Sequence, residues 1–134
     1  MDIRSIHIGF EVSDFAQGLA FWTPLLETAG LAKTMTDDVG YAGFTNGTIS
    51  IFIAVTTPRR VISARPTGEE FVVTDHVGLS LARREDVDAI ASAMQRAGYE
   101  PLFPAQEYTE FGPGFYAVTF IDQDNNVIEF GHRA

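Results

Sequence analysis

Cysteine is absent from the 134 residues, which removes disulfides, thiolate nucleophiles and cysteine-bound zinc together. Any metal must then be held by His, Asp or Glu, and histidine itself is scarce at three residues. Basic residues are also few. Nine Lys and Arg stand against eighteen Asp and Glu, a net charge of −9, and a surface of that sign repels phosphate backbones and anionic lipid. Nucleic acid and membrane surfaces are therefore not expected as partners. The longest hydrophobic run, Ile49 to Val55, is seven residues interrupted by Ser50, where a membrane span needs about 20. The opening Met-Asp-Ile-Arg-Ser-Ile alternates instead of placing a basic region before an apolar one, so a cytoplasmic location is expected rather than secretion. What is present is ordinary for a globular protein: 46% hydrophobic and 20% charged residues, enough to bury roughly two thirds of the unfolded surface in one domain.

The chain repeats itself. His7-Ile8-Gly9-Phe10-Glu11-Val12-Ser13 is answered 69 residues later by His76-Val77-Gly78-Leu79-Ser80-Leu81-Ala82. Each heptad precedes a stretch of helical period that stops at Ala-Gly, at 29–30 and 97–98, where glycine ends a helix by taking the left-handed conformation. Two landmarks at nearly one offset argue for duplication.

Both halves read as a strand, a helix, then several strands, an α+β pattern. Residues 3–12 alternate, with Ile6, Ile8, Phe10 and Val12 on one face and His7, Gly9 and Glu11 on the other, the signature of a sheet packed on one side. Asp14 suits the cap of the first helix, whose apolar side is Phe15, Leu19, Phe21, Trp22, Leu25 and Leu26; Pro24 predicts a kink or a break in it. Val87, Ile90, Ala91, Met94 and Ala97 define the second helix. Strands are expected near 40–45 and 48–56 around an Asn46-Gly47 turn, and near 115–122 and 126–132 around the turn at 122–126. Modules at 1–56 and 71–134 are then joined by a linker at 57–70, rich in proline and arginine.

Two of the three histidines hold the same slot of the repeat. His7 and His76 lie opposite the helix-covered face, each with a glycine two residues on that clears space beside it. Glu129 interrupts the apolar run Asn126-Val127-Ile128-Glu129-Phe130, and a charge there is costly unless paired or metal-bound. Two imidazoles and one carboxylate suit a divalent ion with open positions, Fe, Mn, Ni or Zn, binding a small substrate through oxygen. The alternative is a groove that these polar residues merely line. His132 points to the other face of its strand. Glu11 shares the face of His7 but stands about 13 Å along the strand; it binds substrate or faces solvent. Tyr108, Phe111 and Tyr116, set around Gly112-Pro113-Gly114, are candidates for the walls of a small-molecule pocket.

His7-Ile-Gly-Phe-Glu-Val-Ser-Asp14, with Ala20-Phe21-Trp22 after it, resembles the opening of the vicinal oxygen chelate superfamily, which includes glyoxalases, bleomycin-resistance proteins and extradiol dioxygenases. Phe111 to Ala117 followed by Phe120-Ile-Asp-Gln-Asp-Asn-Asn-Val-Ile-Glu129 is similar to its closing signature. The resemblance implies two βαβββ modules forming a half-open β-barrel, a homodimer, and metal ligands at His7, His76 and Glu129, with Glu129 at the centre of catalysis. It implies a metal-dependent lyase, isomerase or dioxygenase; the alternative is a metal-free antibiotic-binding protein. The chain departs from the pattern at two places. Ile49 to Ile53 contains no carboxylate where glyoxalases place a fourth ligand, and Thr119 aligns with a tyrosine of the dioxygenases.

Overall fold

The computed structural model describes residues 4–38, 40–55 and 76–134; the linker expected at 57–70 lies outside them. The first module runs β1 (Ile6–Val12), α1 (Phe15–Thr28), β2 (Ala32–Asp37), β3 (Tyr41–Thr45) and β4 (Ile49–Val55). The second runs β5 (Val77–Ser80), α2 (Arg84–Arg96), β6 (Phe103–Glu107), a 3-10 turn at Thr109–Phe111, β7 (Phe115–Ile121) and β8 (Val127–Arg133). The chain is thus βαβββ twice. Each sheet has the same order, β1-β4-β3-β2 and β5-β8-β7-β6, with its first and last strands parallel and the other pairs antiparallel. No strand pairing joins the two sheets among the described residues, so the barrel is open.

One face of each sheet takes a helix. Trp22, Leu25 and Leu26 of α1 are buried with Phe44, Ile51 and Ile53, and Ile90 and Met94 of α2 are buried with Phe120, Ile128 and Phe130. Each such side chain contributes about 2 kcal/mol by leaving water. Pro24 does not divide α1, which runs unbroken from Phe15 to Thr28. The bond to the Ala20 carbonyl is lost inside the helix, but buried Trp22 and Leu25 anchor the chain on both sides of Pro24. Both helices end alike. Gly30 (φ 85°) donates to the Glu27 carbonyl and Leu31 to that of Leu26; Gly98 (φ 88°) donates to Gln95 and Tyr99 to Met94. This doubled hydrogen-bond stop is what the two Ala-Gly landmarks encode.

At the other end of α1, the Asp14 carboxylate accepts from the Gln17 amide at 2.9 Å. Asp14→Ala should therefore cost about 1 kcal/mol, measurable as a lower urea midpoint with unchanged m. A retained midpoint would show that the cap contributes nothing.

The modules are held together by α1 against α2, by an edge-to-face pair of Phe21 with Tyr99, just past α2, at 5.1 Å, and by the turn at 122–126. Buried Asp122 accepts from Trp22 Nε1 at 2.9 Å, from the amides of Asp124 and Asn126, and from Asn126 Nδ2 at 2.8 Å. Asn126 Nδ2 also donates to the Glu11 carbonyl at 2.8 Å, and Asp124 accepts from the Ser13 amide at 3.0 Å. Residues read in the sequence only as a turn are thus a polar clamp between the halves.

Candidate functional site

The faces without helices carry the site. In the second sheet the registers align Gly78 with Glu129, Glu129 with Thr119 and Thr119 with Phe103, one row of side chains across four strands. By alternation His76, two residues before Gly78, shares this face. The result is a cavity of about 380 Å³ lined by His76, Leu102, Phe103, Tyr108, Phe111, Thr119, Val127 and Glu129. The absence of a side chain at Gly78 matters: a Cβ built there would stand 3.6 Å from Glu129 Oε1. The carboxylate therefore leans toward the strand that continues from His76.

The Tyr108 hydroxyl donates to the Pro104 carbonyl at 2.6 Å. Desolvation first, then the negative charge of Glu110, pushes its phenol above the ordinary range; a hydrogen bond with Gln106 opposes this, and the Glu129 charge adds a smaller upward push. Tyr108 thus remains a neutral donor at physiological pH. Phe111 is exposed and meets Phe115 edge-on at 6.2 Å, and its carbonyl accepts from Arg133 Nη2 at 3.0 Å.

Tyr116 lies elsewhere. It sits on the helix side of β7, with its hydroxyl donating to Asp88 Oδ1 at 2.6 Å and the Arg84 guanidinium 3.8 Å over its ring. The Asp88 hydrogen bond, then burial, raises its pKa. Strand parity is the reason: Tyr116, Val118 and Phe120 share one face, while Phe115, Ala117 and Thr119 share the other. The pocket role expected of Tyr116 has no support from this placement. His132 likewise faces away, with Nδ1 3.1 Å from the Leu81 carbonyl. Glu11 is exposed on β1, on the face of His7, and is absent from the described lining of either cavity.

His7 does not join His76 and Glu129 within the chain. It lines a separate cavity, also about 380 Å³, with Ser5, Ile6, Tyr41, Ser50 and Phe52. Among the described residues no three His, Asp or Glu side chains cluster as metal ligands. One chain therefore offers an imidazole and a carboxylate in one cavity, a donor pair that suits a divalent ion, and a further imidazole in another.

A family model described as the glyoxalase/bleomycin resistance protein/dioxygenase superfamily matches residues 4–130. The chain belongs to this superfamily. The fold agrees: a glyoxalase/bleomycin resistance protein/dioxygenase family enzyme from Burkholderia phytofirmans PsJN is similar at a TM-score of 0.69 and 14% identity, over 100% of both chains. A glyoxalase/bleomycin resistance protein from Catenulispora acidiphila is similar at 0.62 and 24% identity over 96% of each chain. A lactoylglutathione lyase from Agrobacterium tumefaciens is similar at 0.62 and 18% identity, over 95% of this chain and 91% of that one. No curated protein matches the chain. At such identities the structural likeness shows the fold alone.

Within this superfamily member, sequence reasoning missed Leu102, Phe103 and Val127 in one cavity and Tyr41, Ser50 and Phe52 in the other. Strand pairing, not the sequence pattern, brings them in: Phe52 stands across from Gly9 as Glu129 stands across from Gly78.

Proposed function

We propose that the protein is a divalent-metal-dependent enzyme of lyase, isomerase or dioxygenase type, acting on a small substrate that chelates through adjacent oxygens. His76 and Glu129 of one chain and His7 of a second copy hold the ion. The observation that carries this reading is the split donor set: two ligands face one cavity, and the repeat-equivalent imidazole opens on another. A site incomplete in one chain is completed by symmetry in a homodimer. Exposed apolar side chains fall where such a partner and a substrate would cover them. Leu102, Phe103 and Phe111 surround the first cavity and Ile6 lines the second.

Held by these residues, a divalent ion would supply Lewis acidity to adjacent substrate oxygens. Glu129 supplies the carboxylate of this cavity's described lining. Thr119 stands across the strand pair from it, and Tyr108, Phe103 and Phe111 give the cavity an aromatic wall. The competing reading, a metal-free binder of the antibiotic-resistance kind, draws on the same apolar lining.

A mixed dimer separates the two. His7→Ala and Glu129→Ala homodimers should each be metal-poor, whereas a dimer of one chain of each should regain about one ion, because one of its two shared sites is intact. A mixed dimer as empty as its parents would overturn the shared site. Full stabilisation by a cationic glycopeptide in excess chelator would instead favour the metal-free binder.

A further inference from the structure

The first module carries the same surface with different chemistry. Its row of paired residues is Gly9, Phe52, Gly43 and Met35, which corresponds strand by strand to Gly78, Glu129, Thr119 and Phe103. Phe52 thus stands in the slot that Glu129 holds. It also leans the other way. A Cβ built at Gly43 would meet the Phe52 ring at 3.1 and 3.2 Å, whereas one built at Gly9 would meet nothing within 4 Å. The ring lies over β3 and leaves the floor above Gly9 open. Tyr41 extends the same surface, nearly parallel to Phe52 at 21° with centroids 5.4 Å apart, and the His7 imidazole stands to Phe52 at 68° and 6.2 Å. Two near-parallel rings and one upright ring bound a cavity of about 380 Å³.

Ser50 sets the polarity at this surface. Thr45 Oγ1 donates to the Ile49 carbonyl at 2.9 Å and accepts from the Gly47 amide at 3.0 Å. With that proton on the Ile49 carbonyl, Ser50 is the donor in the 2.9 Å contact between Ser50 Oγ and Thr45 Oγ1. In that arrangement the Ser50 oxygen faces the cavity as an acceptor.

We propose that this cavity binds a planar aromatic ring bearing a hydrogen-bond donor, a hydroxyl or an amine. The ring packs against Phe52 and Tyr41 over Gly9, and its donor points to Ser50. In the shared site, and resting on the function proposed above, it selects the ring-bearing part of a substrate whose oxygens reach His76 and Glu129 of the other copy.

The test uses full-length, chelator-treated protein, so it stands apart from metal binding, which the mixed dimer decides. Phenol, cyclohexanol and anisole are titrated while amide shifts are followed by NMR. Phenol should move the amides of Gly9 and Gly43 and bind about fivefold tighter than cyclohexanol, a preference lost in Phe52→Leu. It should also bind about fivefold tighter than anisole, a difference lost in Ser50→Ala. If Phe52→Leu does not fold, Tyr41→Leu is expected to reduce the preference for phenol in its place. Equal binding of phenol and cyclohexanol, or shifts concentrated at Gly78 and Thr119, would overturn the proposal.

Discussion

Asp122→Ala is expected to lower the unfolding free energy by about 3 kcal/mol, among the largest effects available outside the apolar core. The carboxylate is 5% exposed and satisfies four donors: Trp22 Nε1, the Asp124 and Asn126 amides, and Asn126 Nδ2. Alanine leaves these donors facing a void that water reaches poorly, and a buried unsatisfied donor costs more than the hydrogen bond was worth. For a domain of this length, Tm should fall by roughly 10 °C. Trp22→Phe removes one donor and keeps most of the ring packing, so alone it should cost about 1 kcal/mol. In the Asp122→Ala background it should cost less, since the indole N–H has already lost its acceptor. Additive losses, read from urea midpoints of the two single variants and the double variant, would show that the clamp does not act through this bond.

The second large effect falls on metal affinity. Glu129→Ala removes the only carboxylate in the described lining of its cavity, and Mn²⁺ affinity by calorimetry should drop at least about 100-fold, beyond the loss usual for an outer-sphere partner. Glu27→Ala, an exposed acid on α1, removes the same formal charge and should leave affinity within about twofold, because a distant surface charge is screened. Equal losses in both variants would mean that bulk charge, not coordination, attracts the cation. An unchanged affinity in Glu129→Ala would remove that residue from the site.

Much of this fold was legible because burial is one-sided. In β1 the inner end alternates between buried Phe10 and Val12 and exposed Gly9 and Glu11, and alternation is what period-2 reading detects. β2 and β6 escaped for the converse reason. Ala32 to Thr36 are all exposed, and β6 has only Ala105 partly covered, with Pro104 as its second residue, so no pattern distinguishes these outer strands from loop. The histidine slots were legible through duplication, and Glu129 through a charge in an apolar run. Phe52 was not. Thirty-one residues separate Gly98 from Glu129 but only twenty-two separate Gly30 from Phe52, because the second module inserts the 3-10 turn and its glycines before β7. A constant offset therefore fails to match the two residues, and only strand pairing does. Tyr116 shows the same limit at one-residue scale: its neighbour Phe115 faces the other way, and nothing in an aromatic cluster says which parity the strand will take.

The end of β8 braces the segment that carries Phe111, a residue of the cavity lining. Arg133 holds the Phe111 carbonyl and stands 5.0 Å over the Phe115 ring, and the Ala134 amide donates to the Gly114 carbonyl. The rim of the binding cavity is therefore fastened from behind by β8, the strand that carries Glu129 four residues earlier. Four residues of one strand, about 13 Å, separate the brace from the acid, so a displacement of β8 would be felt both at the entrance and at the floor.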